Sequence, residues 1–202
     1  MAEKHTFPVI TISREYGAGG RSVAKELSEK LGIEYYDRDF VKLTSRASGY
    51  SEEDVRREGE DMSGASRFFN NLLNNTSSYV SSYDAIYQAE RAVILKLAEN
   101  PCIIVGRCAN MILRNEGVPS FDIFLYASRE ERLKRAIELK EFGNMDPQKY
   151  LDRRDNLRKT YYKVYTEHDF GNYQDYNICL DTGKIGKQKC ADLLADLLNS
   201  MG

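Results

Sequence analysis

Ile10-Thr11-Ile12-Ser13-Arg14-Glu15-Tyr16-Gly17-Ala18-Gly19-Gly20-Arg21-Ser22-Val23 runs from an apolar segment through three glycines into a helical pattern. The near-continuous apolar character from Phe7 to Ser13 predicts a strand covered on both faces. Downstream, Val23, Leu27 and Leu31 recur every fourth residue and Gly32 supplies a stop, so the following element is a helix. A strand joined to a helix by a glycine-rich turn aims several backbone N–H groups at one point, where the helix dipole favours an anion. Gly17, Ala18, Gly19, Gly20, Arg21 and Ser22 are therefore expected to hold phosphate groups. Set against the phosphate-loop pattern G-x-x-x-x-G-K-[ST], Gly20, Arg21 and Ser22 fall on its last three positions. Arg21 then stands where the lysine belongs, and Glu15 where the first glycine belongs. Arg21 keeps the charge but presents a planar fork, so its contact with a phosphate differs from that of an ammonium. Ser22 retains the hydroxyl expected to hold Mg²⁺. An ordinary tight turn is the plainer alternative.

Working outward, four more short apolar runs read as buried strands: Ile33 to Tyr36, Cys102 to Val105, Phe121 to Tyr126 and Tyr176 to Leu180. Helical patterns lie between them. Ile86, Ala89, Val93 and Leu97 form one face, and Cys190, Leu193, Leu194 and Leu197 form another. Ser128 with Glu131 is a capping box, and Asp146-Pro147 opens a long helix toward Tyr165. Strands alternating with helices predict an α/β fold with a parallel five-stranded sheet between helical layers. From about Thr44 to Tyr83 the chain is polar, with Ser/Asn clusters, and reads as a helical insertion.

Composition narrows the function. Of 202 residues, 29 are Lys or Arg and 31 are Asp or Glu, a formal net charge of −2 that offers no global basic field for nucleic acid or a membrane surface. No apolar run approaches the roughly 18 residues that span a bilayer, and the expectation is a cytoplasmic protein. Cys102, Cys108, Cys179 and Cys190 contain no C-x-x-C pair and read as reduced, mostly buried thiols. The two histidines, His5 and His168, stand at opposite ends of the chain and offer no zinc-ligand spacing.

Phosphoryl transfer needs positive charge around the moving group, and one stretch of this chain is rich in it. Ten lysines and arginines lie between Arg129 and Lys159, among them Arg132, Arg135, Arg153, Arg154 and Arg158. Arg154 and Arg158, four apart, project from one helix face. A solvated surface with pairs such as Asp155–Lys159 is the alternative. Arg107 follows the third strand and Asp37-Arg38 the second, at the carboxyl ends that face the ligand crevice of open α/β sheets.

Together these motifs resemble the cytidylate kinase-like branch of the nucleoside monophosphate kinases. The likeness rests on the glycine-rich turn, on Tyr35-Tyr36-Asp37-Arg38, on Phe124 to Arg135 and on Arg154-Asp155-Asn156-Leu157-Arg158. It implies a single kinase domain over residues 1–202, with an acceptor-binding insertion at about 44–90 and a lid at about 129–160. It implies ATP and Mg²⁺ at Gly17 to Ser22, with Arg132 and Arg135 reaching the donor phosphates from the lid and Arg21 and Arg154 joining the catalytic set. Arg107 and Arg158 would hold the acceptor's phosphate, Asp155 its sugar or base, and Asp37 and Arg38 would stand beside the acceptor. The implied partner is a small nucleotide acceptor, CMP or dCMP first, with no nucleic acid and no membrane. Classical cytidylate kinases carry the loop lysine, an acidic residue where this chain has Cys108 and an aspartate where it has Tyr126. Those departures keep two alternatives open: a kinase acting on another small metabolite, and a nucleotide-binding sensor.

Overall fold

β1 (Val9–Arg14) lies at the centre of a five-stranded sheet, because apolar side chains cover both of its faces. The computed structural model describes residues 9–60 and 82–201, without the side chains of residues 38, 57–60, 82 and 83. β2 (Glu34–Tyr36), β3 (Cys102–Val105), β4 (Ser120–Tyr126) and β5 (Ile178–Asp181) complete the sheet in the order β2-β3-β1-β4-β5, all parallel. Ile10 pairs with Ile103 on one side and Phe121 on the other.

The helices form two outer layers. α1 (Gly20–Leu31) and α9 (Lys187–Met201) cover one face, where Val23, Leu27, Cys190, Leu194 and Leu198 pack on Ile10, Ile12, Ile103, Ile123 and Leu125. α2 (Arg38–Ser48), α4 (Ser82–Leu97), α5 (Ala109–Asn115) and α7 (Pro147–Thr166) cover the other through Phe40, Ile94, Ile112 and Tyr162 around Val9 and Ile104. α3 (Glu52–Glu60), α6 (Arg129–Leu139) and the short α8 (Thr182–Ile185) complete the set. β3 shows how one strand serves both layers: Ile103 and Val105 face α1 and α9, while Cys102 and Ile104 face the opposite layer. Each fully buried aliphatic side chain of this kind contributes about 1.5–3 kcal/mol.

The predicted signals work locally. Ser128 Oγ accepts from the Glu131 N–H at 3.3 Å, and Asp146 accepts from the N–H groups of Gln148 and Lys149. Besides one-residue shifts at the starts of β2 and β4, three details differ. β1 continues through Arg14, held opposite Leu125, and the Glu15 N–H donates to the Leu125 carbonyl at 3.1 Å. β5 starts at Ile178 rather than Tyr176, because a 3₁₀ turn over Tyr173–Asp175 precedes it. On α9 the packed stripe is Cys190, Ala191, Leu194, Ala195 and Leu198, which leaves Leu193 exposed; docking on α1 selects that stripe from a helix with leucines on several sides. Phe7 and the Ser/Asn clusters of the polar stretch lie outside the described residues, whereas its first part forms α2 and α3. The four cysteines are free thiols, and Cys102, Cys108 and Cys190 are buried. Among the described residues no helix is long and apolar enough to cross a membrane.

Strand order changes direction at β1, whose two neighbours continue to opposite sides. Loops leaving the carboxyl ends of β1 and β3 therefore part there and open a crevice.

Candidate functional site

The glycine-rich turn leaves β1 at Arg14 and enters α1 at Gly20. Gly17 and Gly19 stand at φ +81° and +79°, the left-handed region that side chains resist. The turn is pinned from below: Ala18 N–H donates to the Glu15 carbonyl at 3.3 Å, and Thr182 Oγ1 donates to the Ala18 carbonyl at 2.7 Å. Gly19 caps α1 with no side-chain acceptor, and the first helical turn carries no acidic residue. An electropositive helix end is thus left for an anion. Ser22 lies in that first turn, partly exposed.

Arg21 is turned toward β2. Its Nε donates to Asp37 Oδ2 at 2.6 Å, and Arg14 Nη2 stands 3.6 Å from the other oxygen of the same carboxylate. Asp37 thereby links the glycine-rich turn to the start of α2. Across the crevice, Arg107 is buried; its Nη1 donates to Glu90 Oε1 at 2.6 Å and its guanidinium lies 5.8 Å from the centre of the Phe40 ring. The Tyr161 hydroxyl donates to the other oxygen of Glu90.

α7 supplies the third wall. Arg154 and Arg158 lie over the Tyr16 ring at 6.0 and 5.7 Å, and Arg158 Nη1 donates to the Arg14 carbonyl at 3.1 Å. Tyr16 meets Tyr150 edge-on at 5.4 Å and donates its hydroxyl to Glu141 at 2.9 Å. Burial, with the Glu141 carboxylate adding to it, lifts the Tyr16 phenol above its ordinary range, so it remains a donor. These walls enclose a crevice of about 800 Å³ bordered by Arg14, Arg21, Asp37, Arg107, Arg154 and Arg158, with Lys42 and Arg56 on the α2–α3 side. That volume suits a small nucleotide or metabolite.

A model of the cytidylate kinase-like family matches residues 9–184. The chain belongs to that family. Among curated relatives, the cytidylate kinase of Thermoplasma volcanium is 24% identical over 193 residues, covering 95% of this chain and 92% of its own length. That of Methanococcus vannielii is 26% identical over 182 residues, covering 88% and 92%. A solved structure of an uncharacterized protein from Eubacterium ventriosum matches with a TM-score of 0.66 at 23% identity, over 96% of this chain and 99% of that one. Shikimate kinase from Acinetobacter baumannii matches at 0.56 and 17% identity, over 97% and 95%, so the fold is that of these kinases. Family and fold put the chain among the phosphotransferases.

Two residues of the implied site are engaged within the protein itself. Arg132, implied to reach donor phosphates, is buried beneath the loop and bonded to Asp155, to the Tyr16 and Ala127 carbonyls at 3.2 Å each, and to Glu15 at 3.1 Å. Asp155, implied to read a sugar or base, accepts instead from the Tyr16 N–H at 2.8 Å. The cause is electrostatic: a buried guanidinium collects the carboxylates and carbonyls within reach. Lys159 therefore does not take the Asp155 carboxylate as a surface pair. Arg135 sits on the outer face of α6, bonded to Glu138 at 2.8 Å, and the Arg38 side chain lies outside the described ones. Sequence reasoning passed over Arg14, Tyr16, Glu90 and Arg56. Glu90 did carry a signal, an acid on the apolar stripe of Ile86, Val93 and Leu97; Arg14 and Arg56 carried none.

Proposed function

We propose that this chain transfers the γ-phosphoryl group of ATP to a nucleoside monophosphate, with CMP and dCMP the first acceptors to test. What carries the reading is the crevice, which Arg21 of the first turn of α1 lines together with Asp37, Arg107, Arg154 and Arg158. The N–H groups that open α1 bind the donor phosphates, and Arg21 adds charge at the rim. Arg107 and Arg158 take the acceptor's phosphate. An acceptor phosphate already carries negative charge at neutral pH, so no base is needed to free its attacking oxygen. The barrier lies in bringing two anions together in line, and fixed arginines lower it by position and charge. One P–O bond forms to the acceptor as the bond to the β-phosphate oxygen breaks, and ADP leaves.

The residues present suit magnesium. The Asp37 carboxylate at the crevice and the Ser22 hydroxyl in the first turn of α1 are hard oxygen donors, the kind this ion takes beside phosphate oxygens and water. Ser22 and Asp37 would be the chain's ligands to it. When bound, the ion would offset charge on the bridging phosphates.

The test is ADP release from Mg·ATP with CMP, dCMP, UMP, AMP and GMP in parallel, Arg21→Ala serving as control. Turnover with a pyrimidine monophosphate, reduced at least about tenfold in the control, is expected. Nucleotide binding without turnover on any acceptor would overturn the reading in favour of a sensor. A second variant separates the two subsites. Arg158→Ala is expected to raise KM for the acceptor about tenfold or more while KM for ATP moves less than about threefold. An equal loss for both substrates would remove Arg158 from the acceptor side.

A further inference from the structure

Glu90 has no task in phosphoryl transfer as set out above, yet it is fully buried in the apolar layer formed by α4. A carboxylate in such a place is kept only where opposite charge and hydrogen bonds compensate it. Arg107 and Tyr161 both donate to it, one to each oxygen. Burial, and then the charge of Glu90, holds the Tyr161 phenol well above its ordinary range, so that hydroxyl stays a donor. Arg107 itself starts from an unusual backbone. Gly106, Arg107 and Cys108 stand in succession at φ +81°, +60° and +54°, and the two non-glycine residues are strained there. This left-handed turn directs Arg107 inward from the end of β3, between Glu90 and the Phe40 ring. Three elements, α4, α7 and the turn after β3, thus converge on one guanidinium. That guanidinium borders the open crevice and also a cavity of about 30 Å³ shared with Ser13, Arg14, Arg158 and Tyr161.

We propose that Glu90, seconded by Tyr161, is a positioning residue that fixes the Arg107 guanidinium for the acceptor's phosphate. The proposal rests on the acceptor reading of Arg107 given under Proposed function. An arginine free in solvent loses much rotamer freedom when it grips an anion. With Nη1 already held by Glu90, that ordering occurs during folding, and the planar fork meets the phosphate in one orientation. The strained turn has a purpose on the same account, since a relaxed backbone would release Arg107 from Glu90.

The experiment uses the full chain with CMP as probe, measuring CMP affinity by titration calorimetry and separate KM values for CMP and Mg·ATP. Arg107→Ala is expected to weaken CMP binding tenfold or more, and Glu90→Gln about threefold to tenfold, with KM for CMP rising more than KM for ATP. The double variant should bind CMP no more weakly than Arg107→Ala alone, because Glu90 acts through Arg107. Multiplying losses in the double variant would overturn the proposal, as would a wild-type affinity in Glu90→Gln beside a weakened Arg107→Ala. Should Glu90→Gln fail to fold, Tyr161→Phe removes a single hydroxyl; it should shift CMP affinity about twofold or more, and an unchanged affinity there counts against the proposal. If Arg107→Ala binds CMP as wild type does, the acceptor reading itself falls and takes the proposal with it.

Discussion

Gly17→Ala is expected to lower phosphoryl transfer about a hundredfold and to destabilise the chain by about 2–5 kcal/mol. Two causes add. At φ +81° a side chain costs about 1–2 kcal/mol by itself. The new Cβ would also lie 2.6 Å from the Arg132 carbonyl oxygen and 3.0 Å from its Cα. Those atoms are helix backbone and cannot swing aside, so either the loop lifts from α6 or α6 retreats, at about 1–3 kcal/mol. Gly32→Ala is the control: φ is +66°, nothing lies within 4 Å of the added carbon, and the residue closes α1 far from the crevice. It should cost only the backbone term and leave turnover unchanged. Thermal melts and ADP release on both variants check this, and a Gly17→Ala chain no weaker than Gly32→Ala would show that the contact with α6 does not matter.

Arg132→Ala is expected to cost about 3–5 kcal/mol of stability, the usual consequence of removing one partner from a buried ion pair. Arg132 and Asp155 are both nearly inaccessible, and Glu15 at 3.1 Å is partly so. Removing the guanidinium leaves both carboxylates facing apolar and carbonyl surroundings, and frees the Tyr16 carbonyl from its donor. Burial already raises the Glu15 carboxyl above its ordinary value, with Arg132 the largest opposing influence; without Arg132 it should rise further. For a chain of this length the melting temperature should fall by roughly 6–20 °C. Arg135→Ala, which breaks only an exposed pair with Glu138, should leave the melting temperature where it was. If Arg132→Ala melts like wild type and only KM for ATP rises, Arg132 is a donor-phosphate ligand and not the tether described here.

Much of this molecule can be read from local pattern. The strand at Cys102 to Val105 has the predicted ends, Gly32 ends α1, and Ser128 and Asp146 cap their helices, because each signal depends on neighbours within four residues. The face of α9 was less legible: with leucines at 193, 194, 197 and 198, periodicity alone admits more than one stripe. The clustered arginines between Arg129 and Arg158 form one run in the sequence, which does not reveal their separate surroundings. Arg154 and Arg158 border the crevice, Arg132 is buried under the loop, and Arg135 faces outward.

From the chain alone follow the alternating strands and helices, the glycine-rich turn at Gly17 to Ser22, and the likeness to a phosphoryl-transferring family. The elements rest on backbone geometry and burial, which repeat with fixed periods along the sequence, whereas the likeness rests on the order and spacing of its motifs. Which acid meets which arginine was settled only in three dimensions: Asp37 with Arg14 and Arg21, Glu90 with Arg107, Glu15 and Asp155 with Arg132. Coulomb attraction between buried groups depends on distance and on exclusion of water, and neither has a period in sequence. Glu15 and Asp155 lie 140 residues apart along the chain, and only the packing of α6 and α7 against the end of β1 brings both to one guanidinium.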